Sequence, residues 1–206
     1  MLVDRSVRDF LTALASPAPT PGGGAAAALA GALGSALLVM VALHHKSRTG
    51  EESERAILAA AAGPLEAIRT QLIEAVDADA ASYEAVMAAY RQPKGTNAEQ
   101  KTRRQAVQDA FRQATEVPLR VMTLSAAALG HAAAIADAAY RPVATDGRAA
   151  VALLRAGFHA ARLNVAANVD SVADDAYVVS VRAELVRLGD TAATAADRAD
   201  ALLARS

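Results

Sequence analysis

The sequence contains no cysteine, and this absence excludes several kinds of site at once. Without thiols the chain cannot form disulfides, thiolate-bound metal centres or iron–sulfur clusters, and it cannot use a cysteine nucleophile. A cysteine-free chain suits a reducing compartment, so we expect a cytoplasmic location. Residues 1–11 mix acidic and basic side chains and predict no signal peptide.

Aromatic residues and an excess of charge of either sign are also scarce. Only 3% of the residues are aromatic, tryptophan is absent, and much of the 53% hydrophobic fraction is alanine. Because alanine is the best helix former while strands favour aromatic and β-branched residues, this composition predicts a helical protein. The formal net charge of −1 argues against a nucleic-acid surface, which needs clustered lysine and arginine.

Apolar periodicity and helix breakers divide the chain into helices and connectors. We predict a short amphipathic helix over 6–15, followed by a proline-rich connector over 16–21. No alternating strand pattern of useful length is present. The fold class is therefore all-α, a bundle of long helices within a single domain over residues 1–206. The inward residues of the first helix are expected to be Val7, Phe10, Leu11 and Leu14, and the further helices to span about 24–48, 51–90, 97–139, 145–169 and 171 to near the C-terminus.

The expected helix boundaries depend on capping residues and prolines. Thr96 with Glu99, and Ser171 with Asp174, have the spacing of a capping box and are predicted to begin two helices. The other expected boundaries are Thr145 or Asp146 as an N-cap, Gly63–Pro64 as a kink or break, and Pro118 as an interruption.

The stretch PTPGGGAAAALAGALGSALLVM (Pro19–Met40) combines three glycines with a long run that lacks charge. A dinucleotide site or P-loop is excluded, because no strand precedes the glycines and no Gly-Lys-Ser/Thr follows them. The run is long enough to span a membrane, but it holds few of the large aliphatic residues that drive insertion, so we expect no membrane partner. We favour a central buried helix, in which Gly31, Gly34 and Ser35 let a neighbouring backbone approach closely.

Three glycines, Gly22, Gly23 and Gly24, begin this helix. Their free N–H groups can receive an anion or a carbonyl oxygen, which makes them candidate binding residues. The alternative is that they only permit a tight turn and bind no ligand.

One acidic residue, Asp79, lies on an apolar helix face. A carboxylate there must be paired, protonated or functional, and burial raises its pKa toward the range of a general base. The alternative is that Asp79 only accepts hydrogen bonds from a neighbouring helix. Asp77 lies off this face and is expected to be solvated. The stripe that defines the face consists of Leu65, Ile68, Leu72, Val76, Asp79, Tyr83, Val86 and Tyr90.

Two asparagines, Asn164 and Asn168, lie one turn apart on a later helix. Asn164 follows Gly157 by seven positions and so shares its face, almost opposite the exposed Arg162. Two amides on the dry side of a helix indicate a polar cleft within the bundle. The alternative is a buried pair that makes interhelical hydrogen bonds.

The remaining polar candidates favour ordinary roles. His44 and His45 end the long helix, where the helix dipole favours a cation. His131 is expected to be packed or on the surface, and Lys94 to be a solvated turn lysine unless it faces a cleft. No HExxH or comparable spacing is present, so no metal site is expected.

Several segments together resemble one known family. PTPGGG before an Ala/Gly-rich helix, DADAASY around Asp79, PKGT at 93–96 and LNVAANV at 163–169 occur in the order typical of the cyclodeaminase/cyclohydrolase family. This family comprises free-standing bacterial folate enzymes and the C-terminal domain of formiminotransferase-cyclodeaminase, and the resemblance covers nearly the whole chain. It implies an all-helical homodimer with its active clefts near the subunit interface, which acts on one-carbon derivatives of tetrahydrofolate without a metal or organic cofactor.

The resemblance also implies an activity. Free-standing members of this length resemble methenyltetrahydrofolate cyclohydrolases, which add water to 5,10-methenyltetrahydrofolate and give 10-formyltetrahydrofolate. The fused domains instead close 5-formiminotetrahydrofolate and release ammonia. We expect the hydrolysis, and we keep as alternatives the cyclodeaminase reaction and a non-catalytic homologue that binds folate or another partner.

Roles for single residues follow from the same resemblance. Asp79 would favour the cationic methenyl bridge and take a proton from the attacking water. Asn168 and Asn164 would orient that water or the hydrogen-bonding edge of the pterin. Asp146, which with Thr145 matches the family's Ser-Asp pair, would do the same or cap its helix. The substrate's polar or glutamate end would be bound by the amides of Gly22, Gly23 and Gly24 and by Lys94.

Two segments depart from the family pattern. AYRPVATD (139–146) lacks the asparagines that relatives carry before the Ser-Asp pair, and LHHKSR (43–48) stands where relatives have Thr-x-Gly and two basic residues. If these segments touch folate, the substrate or the activity would differ. They are the reason for keeping the non-catalytic alternative.

Overall fold

The described structure, a computed structural model, covers residues 1–44 and 49–204. Within these two ranges the chain forms helices and no strand, which confirms the all-α class. The predicted end of the long helix at Arg48, and the role given to His45, lie outside the described residues. The helices are α1 (Val7–Leu14), α2 (Gly23–Leu43), α3 (Glu52–Arg91), α4 (Asn97–Ile135), a 3-10 helix (Arg141–Val143), α5 (Ala144–Val169) and α6 (Asp175–Leu203).

Four long helices form the body of the protein. Helix α2 packs between α3 and α5, while α4 closes the ring by packing on α3 and α5 and touching α2. Helix α6 lies outside this ring, against α4 and α5. A large core of small and aliphatic side chains fills most of the bundle, and Phe10 attaches α1 to it. A second, smaller cluster lies between α3 and α4 and consists of Val86, Ala89, Ala110 and Ala114. The large contact area of four long helices supplies the hydrophobic stabilisation that so few aromatic residues could not.

Helices α2 and α5 approach each other closely through glycines. A methyl group built on Gly157 would lie 2.8 Å from the Ala27 carbonyl oxygen, and one on Gly34 would lie 2.8 Å from the Ala150 carbonyl oxygen. Side chains larger than hydrogen therefore do not fit at these crossings. The close approach expected at Gly31 and Gly34 is thus present, and α5 is the neighbour.

The opposite face of α2 is not covered, so the prediction of a helix surrounded on all sides is wrong in part. Leu33 is 50% exposed, Met40 is also exposed, and Leu29 and Leu37 are only partly buried on the same stripe. The inward orientation predicted for α1 holds for Phe10, which is buried, and for Leu14, which packs against the core, but fails for Val7 and Leu11, which are 78% and 55% exposed. Helices α1 and α2 thus carry more apolar surface than the rest of the same chain covers.

Two helices, α2 and α4, are long and apolar enough to cross a membrane by length and composition alone. Half of the apolar window of α2 and 61% of that of α4 are buried inside the protein. Buried core helices meet the same criterion, so the finding is weak evidence for a membrane span.

Neither proline in the long helices breaks them, which corrects the interruption predicted at Pro118 and leaves the kink as the prediction at Gly63–Pro64. Helix α3 is continuous through Gly63–Pro64, and α4 is continuous through Pro118. A proline removes one backbone hydrogen bond, but packing along both flanking segments holds the helix on either side. Helix α4 also ends at Ile135, four residues before the predicted end.

The caps agree with the sequence at one helix and differ at two. Thr96 and Glu99 form the predicted capping box of α4. Helix α5 begins at Ala144 directly after the 3-10 helix, so its N-cap is Val143, and Thr145 and Asp146 lie inside its first turn. Helix α6 is capped by Asp174, whose Oδ1 accepts from Tyr177 N, and not by Ser171, whose N–H bonds the Asn168 carbonyl in a turn.

Candidate functional site

A cleft of about 350 Å³ opens where the N-terminus of α2 meets the middle of α3 and α4 and the C-terminal part of α5. Six of the predicted site residues line it: the three glycines, Asp79 and the two asparagines. The sequence therefore located the cleft from residues on three different helices. Its full lining is Pro19, Thr20, Gly22, Gly23, Gly24, Asp79, Ser82, Tyr83, Val86, Phe111, Ala114, Asn164 and Asn168.

The Asp79 carboxylate lies directly against the start of α2. Gly22 is the N-cap and offers no side chain to cap the helix, and the backbone N–H of Ala25 donates to Asp79 instead. A methyl group built on Gly24 would overlap the Asp79 carboxylate. One function of the glycine run is therefore steric, since it lets a carboxylate from α3 reach the positive end of the α2 dipole.

Burial and this hydrogen bond act in opposite directions on the pKa of Asp79. Burial raises the pKa above the ordinary value of 3.8 and is the larger effect, while the Ala25 N–H lowers it. Asp79 is half-buried on the inner face of α3, next to the buried Val76 and Val86. A carboxylate with a raised pKa beside an open cleft is suited to accept a proton or to face a cation.

The two asparagines bond to backbone carbonyls rather than to each other. Asn168 Nδ2 donates to the Ala114 carbonyl oxygen on α4 at 2.7 Å, and Asn164 Nδ2 donates to the Ala160 carbonyl oxygen at 2.9 Å. These bonds use one proton of each amide, so each Oδ1 and each second Nδ2 proton stay available for other partners. With the Asp79 carboxylate, the cleft is lined by oxygen acceptors beside amide donors, a set that suits a ligand with N–H donors or positive charge.

Aromatic side chains form one wall of the cleft. Tyr83 and Phe111 line it, and Tyr90 packs edge-on against Phe111 with ring centroids 6.1 Å apart. Tyr83 and Tyr90 are exposed, so the predicted apolar stripe of α3 is buried at Val86 but not at its two tyrosines. Phe111 was not predicted from the sequence. The signal available in the sequence was that phenylalanine is rare, since the chain has only three.

Lys94 and Asp146, the two other predicted binding residues, lie away from this cleft. Lys94 is exposed beyond the end of α3, about 18 Å along the helix axis from Asp79 to Arg91. Asp146 precedes Asn164 by eighteen positions on α5, which corresponds to about 27 Å. Neither side chain contributes to the cleft within one copy of the chain.

The two departures from the family pattern meet at that distant end. The His44 ring stacks on the Tyr140 ring, with centroids 5.0 Å apart and planes at 13°. Since α2 is 21 residues long, this pair lies about 30 Å from the glycines that line the cleft. Within one copy of the chain, His44 and Tyr140 therefore do not touch the cleft.

Asp77 is not solvated, contrary to the prediction. Its Oδ1 accepts from the backbone N–H of Leu2 at 2.5 Å, and its Oδ2 is buried. Asp77 thus fastens the N-terminal segment to α3.

A second depression, of about 390 Å³, lies between α4, α5 and α6. Arg155, one of the two arginines that line it, is paired with Asp197 at 2.7 Å and with Asp200 at 3.0 Å. This ion pairing explains the residue without a ligand. Residues 1–44 and 49–204 contain no group of three or more histidine or acidic side chains placed to hold a metal ion.

Known proteins resemble this chain in sequence and in fold. The sequence pattern of the family described as formiminotransferase-cyclodeaminase matches residues 6–187. A methenyltetrahydrofolate cyclohydrolase of Methylorubrum extorquens is 34% identical over 177 residues, which are 86% of this chain and 85% of the relative. A formimidoyltransferase-cyclodeaminase of Sus scrofa is 33% identical over 95% of this chain, but the chain spans only 36% of that protein.

A solved structure gives the same fold. The crystal structure of a formiminotetrahydrofolate cyclodeaminase from Thermotoga maritima superposes with a TM-score of 0.88 at 25% identity and covers 98% of both chains. The relatives are thus named as the two kinds of enzyme that the sequence indicated.

Proposed function

The chain belongs to the formiminotransferase-cyclodeaminase family of folate one-carbon enzymes, and we propose that it is a methenyltetrahydrofolate cyclohydrolase. The observation that carries the proposal is the half-buried Asp79 carboxylate, with its raised pKa, at a cleft that two asparagine amides also line. The match to a relative with this named activity supports it as well, because that match extends over 85% of the relative.

The proposed substrate fits the charge of the cleft. The 5,10-methenyl bridge is an amidinium cation, and the pterin ring carries N–H donors along one edge. The Asp79 carboxylate would lie against the cation, while the Oδ1 atoms of Asn164 and Asn168 accept from the pterin edge or from water. A bound cation also favours the ionised form of Asp79, which offsets the effect of burial on its pKa.

The reaction is a balanced addition of water followed by ring opening. Asp79 takes one proton from water as the water oxygen bonds to the methenyl carbon. The carbon–N5 bond then breaks, N5 receives the proton held by Asp79, and the hydroxyl loses its proton to solvent to become the formyl carbonyl on N10. One cation and one water thus give 10-formyltetrahydrofolate and one proton, with no step that needs a metal or organic cofactor.

Turnover of methenyltetrahydrofolate, followed by its absorbance, tests this proposal. The wild-type protein is expected to accelerate the loss of absorbance, and the Asp79→Asn variant to bind a stable folate analogue while turning over far more slowly. Dialysis against a chelator is expected to leave the rate unchanged. Near-normal turnover by a folded Asp79→Asn protein would exclude the proposed role of Asp79.

The cyclodeaminase reaction is the second candidate, supported by the structural match to the Thermotoga maritima enzyme over 98% of the chain. The same cleft would hold 5-formiminotetrahydrofolate while N10 attacks the formimino carbon and ammonia leaves. Ammonia release from that substrate distinguishes this activity from hydrolysis. Calorimetric binding of a folate analogue without either turnover would instead favour the non-catalytic alternative.

We further propose that the protein is a homodimer formed through the uncovered stripe of α2. Leu29, Leu33, Leu37 and Met40 present a continuous apolar face on a helix whose opposite face is packed in the bundle. A self-complementary twofold contact would cover this face in both copies. Sedimentation is expected to show a dimer for the wild type and a monomer for Leu33→Glu.

An antiparallel contact of the two α2 helices would also explain the position of Asp146. The distant end of one copy would then lie beside the glycine end of the other, so the partner subunit's Asp146 would face the cleft. Mixing inactive Asp79→Asn and Asp146→Asn proteins is expected to restore part of the activity if the cleft is shared. Mixtures that remain inactive would place each site within one copy.

A further inference from the structure

We propose that Pro118 is a positioning residue for Asn168, and that it acts through the carbonyl oxygen of Ala114. The part of the inference that concerns catalysis depends on the function proposed above. The part that concerns the orientation of the Asn168 amide is independent of any activity.

The argument begins with the backbone of α4, which is helical without a break from Asn97 to Ile135. In an α-helix the N–H of each residue bonds to the carbonyl four residues earlier, so the carbonyl of Ala114 would normally accept from residue 118. Pro118 has no N–H to donate. The Ala114 carbonyl is therefore the one in this helix that the proline leaves without its usual partner.

That carbonyl is the acceptor for Asn168. Asn168 Nδ2 donates to Ala114 O at 2.7 Å, although the two residues are 54 positions apart. Ala114 and Asn168 both line the cleft, and Pro118 is buried one turn further along α4. The carbonyl that the proline leaves without a backbone donor thus receives one from a side chain on a neighbouring helix, at the wall of the site.

The consequence is a fixed orientation for the Asn168 amide. A terminal amide has two orientations that exchange its oxygen and its nitrogen, and only one places Nδ2 against a carbonyl acceptor. The bond to Ala114 selects that orientation and fixes where Oδ1 and the second Nδ2 proton lie. If residue 118 donated an N–H to Ala114, the amide would share the two lone pairs of that carbonyl with a backbone donor, as Asn164 does at Ala160, and it would be held less firmly.

The backbone that carries Asn168 is fastened separately. Gln108 accepts from the N–H of Ala173 at 2.7 Å and donates to the Ser171 carbonyl at 3.2 Å. Arg112 on the same face of α4 pairs with Asp174 at 3.2 Å. These contacts hold the connector between α5 and α6 on α4 without using Pro118, so a change at Pro118 acts on the amide rather than on the position of the helix.

The chain provides a matched control in Pro64. It also lies inside a long helix, and the carbonyl that it leaves without a partner belongs to Ala60. Both residues are exposed, so water satisfies that carbonyl. Pro118→Ala and Pro64→Ala are each expected to preserve or raise the melting temperature, because alanine favours a helix interior more than proline does.

The first test uses the ligand-free protein and nitrogen-15 NMR of side-chain amides, with the Asn168 signal assigned by its loss in Asn168→Asp. In the wild type, one Nδ2 proton of Asn168 should exchange with solvent about five- to tenfold more slowly than those of exposed asparagines, the factor expected for one hydrogen bond. Pro118→Ala should remove most of this protection, and Pro64→Ala should not. Rapid exchange in the wild type, or unchanged protection in Pro118→Ala, would overturn the proposal.

The second test is a double-mutant cycle in turnover of methenyltetrahydrofolate. Pro118→Ala should lower kcat/KM about five- to tenfold, Pro64→Ala should leave it unchanged, and Pro118→Ala should have no further effect in an Asn168→Ala background. Additive losses would show that Pro118 does not act through Asn168. If the wild type fails to turn over this substrate, the proposed function is wrong, and the NMR test still decides the role of Pro118.

Discussion

Asp77 and Asp79 lie two positions apart on one helix, both half-buried, and they do different work. Asp77 accepts the N–H of Leu2 and attaches the N-terminal segment to α3. Asp79 points to the start of α2 and borders the cleft. Two positions on a helix correspond to a rotation of about 200°, so the carboxylates face almost opposite directions. Two identical side chains thus have different roles, because Asp77 contacts the N-terminal segment and Asp79, the candidate base, contacts the start of α2.

The strongest way to sharpen this contrast is to make the same substitution at both sites. Asp79→Asn is expected to lower kcat/KM by about 10²- to 10⁴-fold, because it removes the proton acceptor. Asp77→Asn should change kcat/KM by less than about twofold, since an amide oxygen still accepts from Leu2. Absorbance kinetics on both variants check this, and equal losses would contradict the division of roles.

A methyl group at Gly24 should break the Asp79 side of the comparison without altering its charge. Gly24→Ala would overlap the carboxylate, and displacing it by about 1 Å is expected to cost roughly 10²-fold in kcat/KM. The control is Gly63→Ala, because a methyl group there meets nothing within 4 Å and should only stabilise α3. Full activity in a folded Gly24→Ala protein would show that the contact is not needed.

Removing the Asp77 carboxylate should break the other side. Asp77→Ala leaves the Leu2 N–H without its partner and is expected to lower the free energy of unfolding by about 1–3 kcal/mol, with turnover retained. Denaturant titration measures the loss, and hydrogen exchange should show faster exchange in the segment before α1. A loss of turnover at unchanged stability would assign Asp77 to the site instead.

The smallest expected effect is the pH dependence of stability at Asp79. Burial raises its pKa in the folded protein above 3.8, so the folded state gains stability as pH falls from that raised pKa toward the ordinary value. Asp79→Asn should therefore melt at or above the wild-type temperature at neutral pH, and the difference should shrink in acid. In the same range, wild-type kcat/KM should fall as the base is protonated, beginning at a higher pH than for an ordinary aspartate.

The comparison also shows how far the sequence could lead. Periodicity identified the face of α3 that carries Asp79, and the spacing of Asn164 and Asn168 placed both on the dry side of α5. Periodicity does not say what packs on the other faces, and Asp77 was misjudged because its partner Leu2 lies 75 positions away. Local rules predict which way a side chain points from its helix, whereas its contact with a partner distant in sequence depends on the packing of whole helices.

The prolines show the same limit, because here too the deciding contact is made by a residue distant in sequence. The helix rules predicted an interruption at Pro118, because a missing N–H leaves a carbonyl without a partner. The structure keeps the helix and supplies a donor from Asn168, 54 positions from the Ala114 carbonyl. Asp146 was identified as a site residue by resemblance alone. Its distance from Asn164 along α5 follows from counting residues. Its position relative to the cleft of a second copy depends on how two copies pack.

The contact between Gly24 and Asp79 links two positions that the chain separates by 55 residues. A relative that carries any side chain at the position of Gly24 has no room for this carboxylate arrangement, even if its aspartate is retained. The two positions therefore form a joint signature, and a distant helical homologue can be sorted by them before any assay. A chain with both is a candidate for the same chemistry, whereas a chain with the aspartate alone must place its acid elsewhere.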